Sequence, residues 1–130
     1  MKKVVEVAVG VIKRGGLYFM TQRADHVHQG GKWEFPGGKV EKKELPEEAL
    51  KRELKEEVNL DVVGSSSLIT INHDYGDKLV SLVVFLVEGF KSEPKALEGQ
   101  KEGWFTFDEL LTLDLPAANK GILDALSKLG

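Results

Sequence analysis

The chain contains no cysteine. Disulfide scaffolds, thiolate zinc sites and cysteine nucleophiles are therefore excluded. It also has little proline and no long apolar run: no stretch approaches the roughly 20 residues that a membrane-spanning helix needs. Basic charge is not in excess, since 18 Lys and Arg against 21 Asp and Glu leave a net charge of −3. A sequence-independent nucleic-acid binder needs a basic surface and is disfavoured. A small anionic substrate stays open, provided that cations are recruited locally. What is present is a globular composition, 42% hydrophobic and 30% charged, over 130 residues. That length predicts one domain, residues 1–130, with one core. The opening MKK resembles a signal peptide, but Glu6, the alternation that follows and the lack of a cleavage site predict a mature cytoplasmic protein.

Val4 to Ile12 is predicted as a strand, with Val5, Val7, Val9 and Val11 on one face. Arg14-Gly15-Gly16 is a turn, and Leu17 to Thr21 is the return strand. Residues 24–32 form a polar loop with His26 and His28, and Pro36-Gly37-Gly38 is a tight backbone feature. Further strands are expected at Leu68–Asn72, at Val80–Val87 in the sheet centre, and at Trp104–Phe107, with loop over 88–103. Helices are expected at Glu47–Val58 and Pro116–Leu129. The alternation predicts an α/β protein of the α+β type, a mixed β-sheet sandwiched between helices. Trp33 and Trp104 are read as core or sheet-face residues.

The first helix carries the chemistry. With Ala49 at zero, Glu53 falls at about 40°, Glu56 at about 340° and Glu57 at about 80°. Leu50, Leu54 and Val58, at about 100°, 140° and 180°, make the buried stripe. Glu53 and Glu57 border it and face the domain body. Like charges three and four residues apart destabilise a bare helix, unless a hard cation sits among the oxygens.

The preceding loop extends the pattern. Gly38, Glu44, Arg52, Glu53, Leu54, Glu56, Glu57 and Leu60 stand at the spacing Gly, five residues, Glu, seven residues, Arg-Glu-apolar-any-Glu-Glu. This segment resembles the Nudix box of the Nudix hydrolases. Asn59 stands where the family has Gly, Lys43 where Gly is usual, and Leu45 where a Ser or Thr helix cap is usual. Asn59 is expected to adopt a left-handed C-terminal conformation at small cost. Beyond the box, the similarity to the family's 8-oxo-dGTP diphosphatase branch runs nearly end to end. It takes in GGKWEFPGGKVE, EGQKEGW and LPAANKGI.

The resemblance implies a Mg²⁺-dependent hydrolase, with Mn²⁺ as a substitute, that converts 8-oxo-dGTP to 8-oxo-dGMP and pyrophosphate by attack on the β-phosphorus. It implies metal ligation by the Gly37 carbonyl, Glu53, Glu56, Glu57 and Glu98. Glu98 could be a ligand or the general base, and Glu53 is the other candidate base. Arg52 and Glu44 would fix the loop against the helix. Substrate would meet Arg23 (through phosphate or base), His28, Phe35 with the backbone from Glu34 through Pro36 to Gly38, and Lys78, with Tyr75 as an aromatic wall. Asn119 would read the base. An amide both donates and accepts, so it pairs with O6 and the N7–H that oxidation creates. The partner is a small nucleotide, with no polymer and no membrane, and the chain acts as a monomer. Another nucleotide substrate, a silent nucleotide-sensing domain and an interaction module with an acidic helix are the competing readings.

Overall fold

The computed structural model describes residues 2–26 and 30–129. Among the described residues, seven strands and three α-helices follow in chain order. They are β1 (Lys3–Arg14), β2 (Leu17–Gln22), β3 (Trp33–Glu34), β4 (Gly37–Lys39), α1 (Pro46–Val58), β5 (Asp61–Asp74), β6 (Lys78–Lys91), β7 (Lys101–Phe105), α2 (Phe107–Leu110) and α3 (Lys120–Ser127). The main sheet order is β3-β2-β1-β6-β5, with β4 on β1 and β7 on β2. β1 and β6 run parallel and the other pairs antiparallel, so the sheet is mixed.

The alternation along β1 divides the core. Val9 and Val11 face one side, with Leu110, Leu115, Ile122 and Leu126. Ala8 and Ile12 face the other, with Phe19, Leu50, Leu54 and Val58. The sheet therefore lies between α1 and the α2–α3 segment, as expected. The apolar stripe of α1 is fully buried. Its polar flank is left at the sheet edge, beside β4.

Several boundaries differ from the sequence reading. β5 starts at Asp61, seven residues before Leu68. Register shifts at Val62/Gly64, Gly64/Ser65 and Ser67/Ile69 reset the alternation, and the period-2 signal is lost there. The segment read as loop is shorter, because β6 runs to Lys91 and β7 begins at Lys101. Phe107 opens α2 instead of closing a strand: Thr106 and Glu109 form a capping box that stops β7. The last helix is not continuous from Pro116. Ala117–Asn119 is a tight 3₁₀ turn, closed by Asn119 N–H donating to the Pro116 carbonyl at 2.9 Å, and α3 follows.

Asn59 terminates α1 at φ 58°, ψ 33°, the left-handed cap expected of it. Lys43 sits at φ 70°, which explains why glycine suits that position. Leu45 makes no side-chain cap, but its N–H donates to Glu48 Oε1 at 2.8 Å, so half of a capping box survives.

Candidate active site

β4 pairs with β1 through Val9–Gly37, Ala8–Gly38 and Val7–Lys39. The Gly10 N–H donates to the Pro36 carbonyl at 2.8 Å and locks the segment in place. Side chains would not fit here. A Cβ on Gly37 would collide with the Ala8 carbonyl, and one on Gly38 would collide with the Glu53 carboxylate. The two glycines thus let α1 bring Glu53 onto bare backbone.

Arg52 organises the polar flank of α1. Its Nε and one terminal nitrogen donate to the two Glu44 oxygens at 2.8 and 2.9 Å. The same terminal nitrogen reaches the Lys39 carbonyl at 3.1 Å, and the other donates to Glu53 Oε2 at 2.9 Å. One guanidinium therefore ties the loop, β4 and a helix carboxylate together. These hydrogen bonds hold the Glu44 carboxyl down to about 2 and raise Arg52 above its ordinary value. Glu56 is exposed on the outer flank, 3.5 Å from Arg52.

Next to this flank lies a cavity of about 460 Å³. Arg23, His26 and Glu34 line one side of it, and Gly37, Glu53, Glu57 and Glu98 the other. Burial pushes the Glu57 carboxyl up to about 8, and the charges of Glu34, Glu98 and Glu53 add to that. The Gly37 N–H, 3.4 Å from Glu57 Oε2, works against the rise. Burial also raises Glu34, while Arg23 opposes it from 3.1 Å. The cavity holds more negative charge than its own cations balance.

The sequence-predicted residues divide into groups. Arg23, Glu34, Gly37, Glu53, Glu57 and Glu98 meet in the cavity, with Gly38 under Glu53. Phe35 and Pro36 are buried behind it. Phe35 belongs to the α3-side core together with Ala118, the neighbour of Asn119. Asn119 precedes α3 without a side-chain capping bond, so its amide is not consumed by the helix start. Lys78 lies apart, at the start of β6, with Nζ 6.0 Å from the Tyr75 ring. His28 lies outside the described residues. Trp33 and Trp104 pack edge-on against Phe105 and Phe19, as sheet-face residues do. Sequence reasoning passed over His26 and Gln100, which also line the cavity. Their only signal was proximity to Arg23 and Glu98 along the chain.

Among the described residues, no three His, Asp or Glu side chains are already gathered into a closed coordination set. The donor chemistry nevertheless fits a divalent cation. Hard carboxylate oxygens crowd one wall, the Gly37 backbone lines it without a side chain, and half-buried Glu57 is short of positive charge.

A NUDIX domain profile matches residues 7–125. The 8-oxo-dGTP diphosphatase of Escherichia coli is 38% identical over 130 residues, 99% of this chain and 100% of the relative. The E. coli CTP pyrophosphohydrolase is 32% identical over 127 residues, 98% of this chain and 96% of the relative. A solved structure from work on the MutT proteins of Aliivibrio salmonicida and Vibrio cholerae superposes with a TM-score of 0.85 at 32% identity. It covers 97% of this chain and 99% of that one.

Proposed function

The chain belongs to the NUDIX domain family, and on that premise we propose that it hydrolyses 8-oxo-dGTP to 8-oxo-dGMP and pyrophosphate, using Mg²⁺ or, in its place, Mn²⁺. The observation that carries the reading is the convergence of Glu53, Glu57, Glu98 and the Gly37 backbone on one cavity that also holds Arg23.

Glu53, Glu57 and the Gly37 carbonyl would hold the metal, with Glu56 and Glu98 completing the set from the flank and the facing loop. When bound, the ion polarises phosphoryl oxygens and acidifies a coordinated water. Arg52 holds Glu53 in place and, through Glu44 and the Lys39 carbonyl, fixes the loop to the helix. Glu98 is the better general base of the two candidates, because Glu53 already shares an oxygen with a guanidinium at 2.9 Å. Arg23 faces the phosphate end, since it stands in the carboxylate cavity. Asn119 reads the base on the α3 side of the sheet, where its amide pairs with O6 and N7–H. Lys78 and Tyr75 border that side. His28 would close over the substrate.

On this reading the chain acts as a monomer on a free nucleotide. The net charge of −3 argues against a nucleic-acid polymer as substrate. Among the described residues, no helix is long and apolar enough to cross a membrane. A cytoplasmic location completes the reading, which is sanitisation of the nucleotide pool before DNA replication. The similarity to a CTP pyrophosphohydrolase favours one alternative, a pyrimidine triphosphate substrate with the same phosphate chemistry.

The test is hydrolysis in ¹⁸O-labelled water of 8-oxo-dGTP, dGTP and CTP. Preference for 8-oxo-dGTP, with the label in pyrophosphate, is expected. Preference for CTP, or release of orthophosphate, overturns the substrate assignment. Asn119→Ala should lower kcat/KM for 8-oxo-dGTP relative to dGTP by roughly tenfold, the worth of one buried hydrogen-bond pair. An unchanged ratio removes Asn119 from base reading.

A further inference from the structure

The segment that carries Glu98 is fastened through four successive backbone N–H groups. Lys95 N–H donates to the Val58 carbonyl at 2.9 Å, and Leu97 N–H donates to the Glu57 carbonyl at 3.0 Å. The two N–H groups of even number go elsewhere: Ala96 donates to Glu102 Oε1 at 2.8 Å, and Glu98 donates to Gln100 Oε1 at 3.2 Å. One pair of bonds therefore holds the segment to the end of α1, and the other holds it to side chains in and just before β7. The last carbonyls of a helix have no partner within it, and this segment supplies partners to two of them.

Both ends of the bridge are firm. The apolar stripe of α1 is fully buried, and β7 is paired with β2 from Tyr18–Phe105 to Gln22–Lys101. Glu57 takes part twice, with its carboxylate in the cavity and its carbonyl on Leu97. Glu98, the next residue along the segment, lines the same cavity. Its charge adds to the rise of Glu57, so repulsion between like charges works to drive the segment outward. The hydrogen bonds resist that push. Gln100 itself lines the cavity, but Glu102 is not among the described residues that do. Glu102 is exposed, and its bond to Ala96 is the shortest of the four.

We propose that Glu102 is a positioning residue: by accepting from the Ala96 N–H, it ties the segment to β7 and keeps Glu98 in the cavity with Glu53 and Glu57. The inference rests on the reading of Glu98 as a metal ligand or general base. Glu102 acts through Glu98 and not on the substrate. The place calls for an acceptor oxygen, and a charge is not required. Without that oxygen the Ala96 N–H turns to water, and the segment loses its shorter tie to β7. Glu98 then spends less time in the cavity, which slows the chemical step. Nucleotide binding through Arg23 and Asn119 is left in place.

The experiment compares the wild type with Glu102→Ala and Glu102→Gln. It measures kcat and KM for 8-oxo-dGTP at saturating Mg²⁺, and amide hydrogen exchange at Ala96 and Leu97 in the metal-free protein. Glu102→Ala should lower kcat roughly fivefold or more, the worth of one net hydrogen bond, and keep KM within about twofold. Exchange should quicken at Leu97 as well as at Ala96, because the segment loosens as a unit. Glu102→Gln keeps an acceptor oxygen and should restore kcat and exchange to within about twofold of the wild type. In a Glu98→Gln background, Glu102→Ala should lower kcat little further. A Glu102→Gln variant as impaired as Glu102→Ala overturns the inference, and so does an undiminished loss in the Glu98→Gln background. Faster exchange at Ala96 alone marks a purely local bond and overturns it too. A wild type that turns over no nucleoside triphosphate overturns the functional reading and this inference with it. An active wild type with an unmoved kcat in Glu102→Ala overturns the inference alone.

Discussion

Glu57→Gln separates what the site needs from what the fold needs. The Glu57 carboxyl is pushed from an ordinary 4.5 up to about 8, by burial first and then by Glu34, Glu98 and Glu53. Below pH 4.5, folded and unfolded chains both carry the proton, and Glu57 makes no difference to stability. Between 4.5 and 8 the folded chain keeps a proton that the unfolded chain has lost, so metal-free stability falls as pH rises. At about 1.36 kcal/mol per pH unit the loss is roughly 5 kcal/mol at most. Gln never ionises, and its oxygen still accepts from the Gly37 N–H. Metal-free Glu57→Gln should therefore match the wild type near pH 5 and exceed it by up to several kcal/mol near pH 9. In a chain of this length that is a Tm difference of roughly 10 °C or more.

A divalent cation should reverse the order. Mg²⁺ displaces the Glu57 proton, so it should raise the wild-type Tm increasingly up to about pH 8 and shift the variant little. Turnover by the variant should fall by roughly 100-fold or more. Thermal melts from pH 5 to 9, with Mg²⁺ and with chelator, check both halves. A variant whose metal-free stability falls with pH as steeply as that of the wild type, or that gains as much from Mg²⁺ as the wild type, refutes the reasoning.

Arg52→Lys keeps the charge but loses the planar fork that meets Glu44, Glu53 and the Lys39 carbonyl. Mg²⁺ affinity, from titration calorimetry, should weaken by roughly 10–100-fold with the fold intact. Gly38→Ala puts a methyl where the Glu53 carboxylate lies. It should cost about 1–3 kcal/mol in denaturant melts and lower kcat at least about tenfold, since Glu53 must move. Lys43→Gly relieves the left-handed backbone at φ 70° and should raise stability by up to about 1 kcal/mol, with kcat unchanged.

Much of the site is written in spacing. On α1, the offsets of Glu53 and Glu57 from the Leu50-Leu54-Val58 stripe place them at the edge of the buried face, because a helix turns by a constant angle per residue. The same geometry set Glu56 about 60° from Glu53, and it stands on the outer flank. Asn59 as a left-handed cap follows from the conformational tolerance of Asn. The sandwich follows from the order of strands and helices along the chain, and alternation along β1 puts Val9 and Val11 together on one core face.

Other features depend on which strands meet, and no local pattern carries that information. β5 was read short, because its bulges shift the alternation whenever β6 imposes its own register. Only pairing of β4 with β1 sets Gly38 under Glu53. Only packing brings Arg23 and Glu98 into a cavity with the α1 carboxylates. Residues along this chain therefore set donor types, helix faces and caps, where each choice is made within a few neighbours. The charge excess that lifts Glu57 arises from segments far apart in sequence that share one cavity, where burial and neighbouring charge act together.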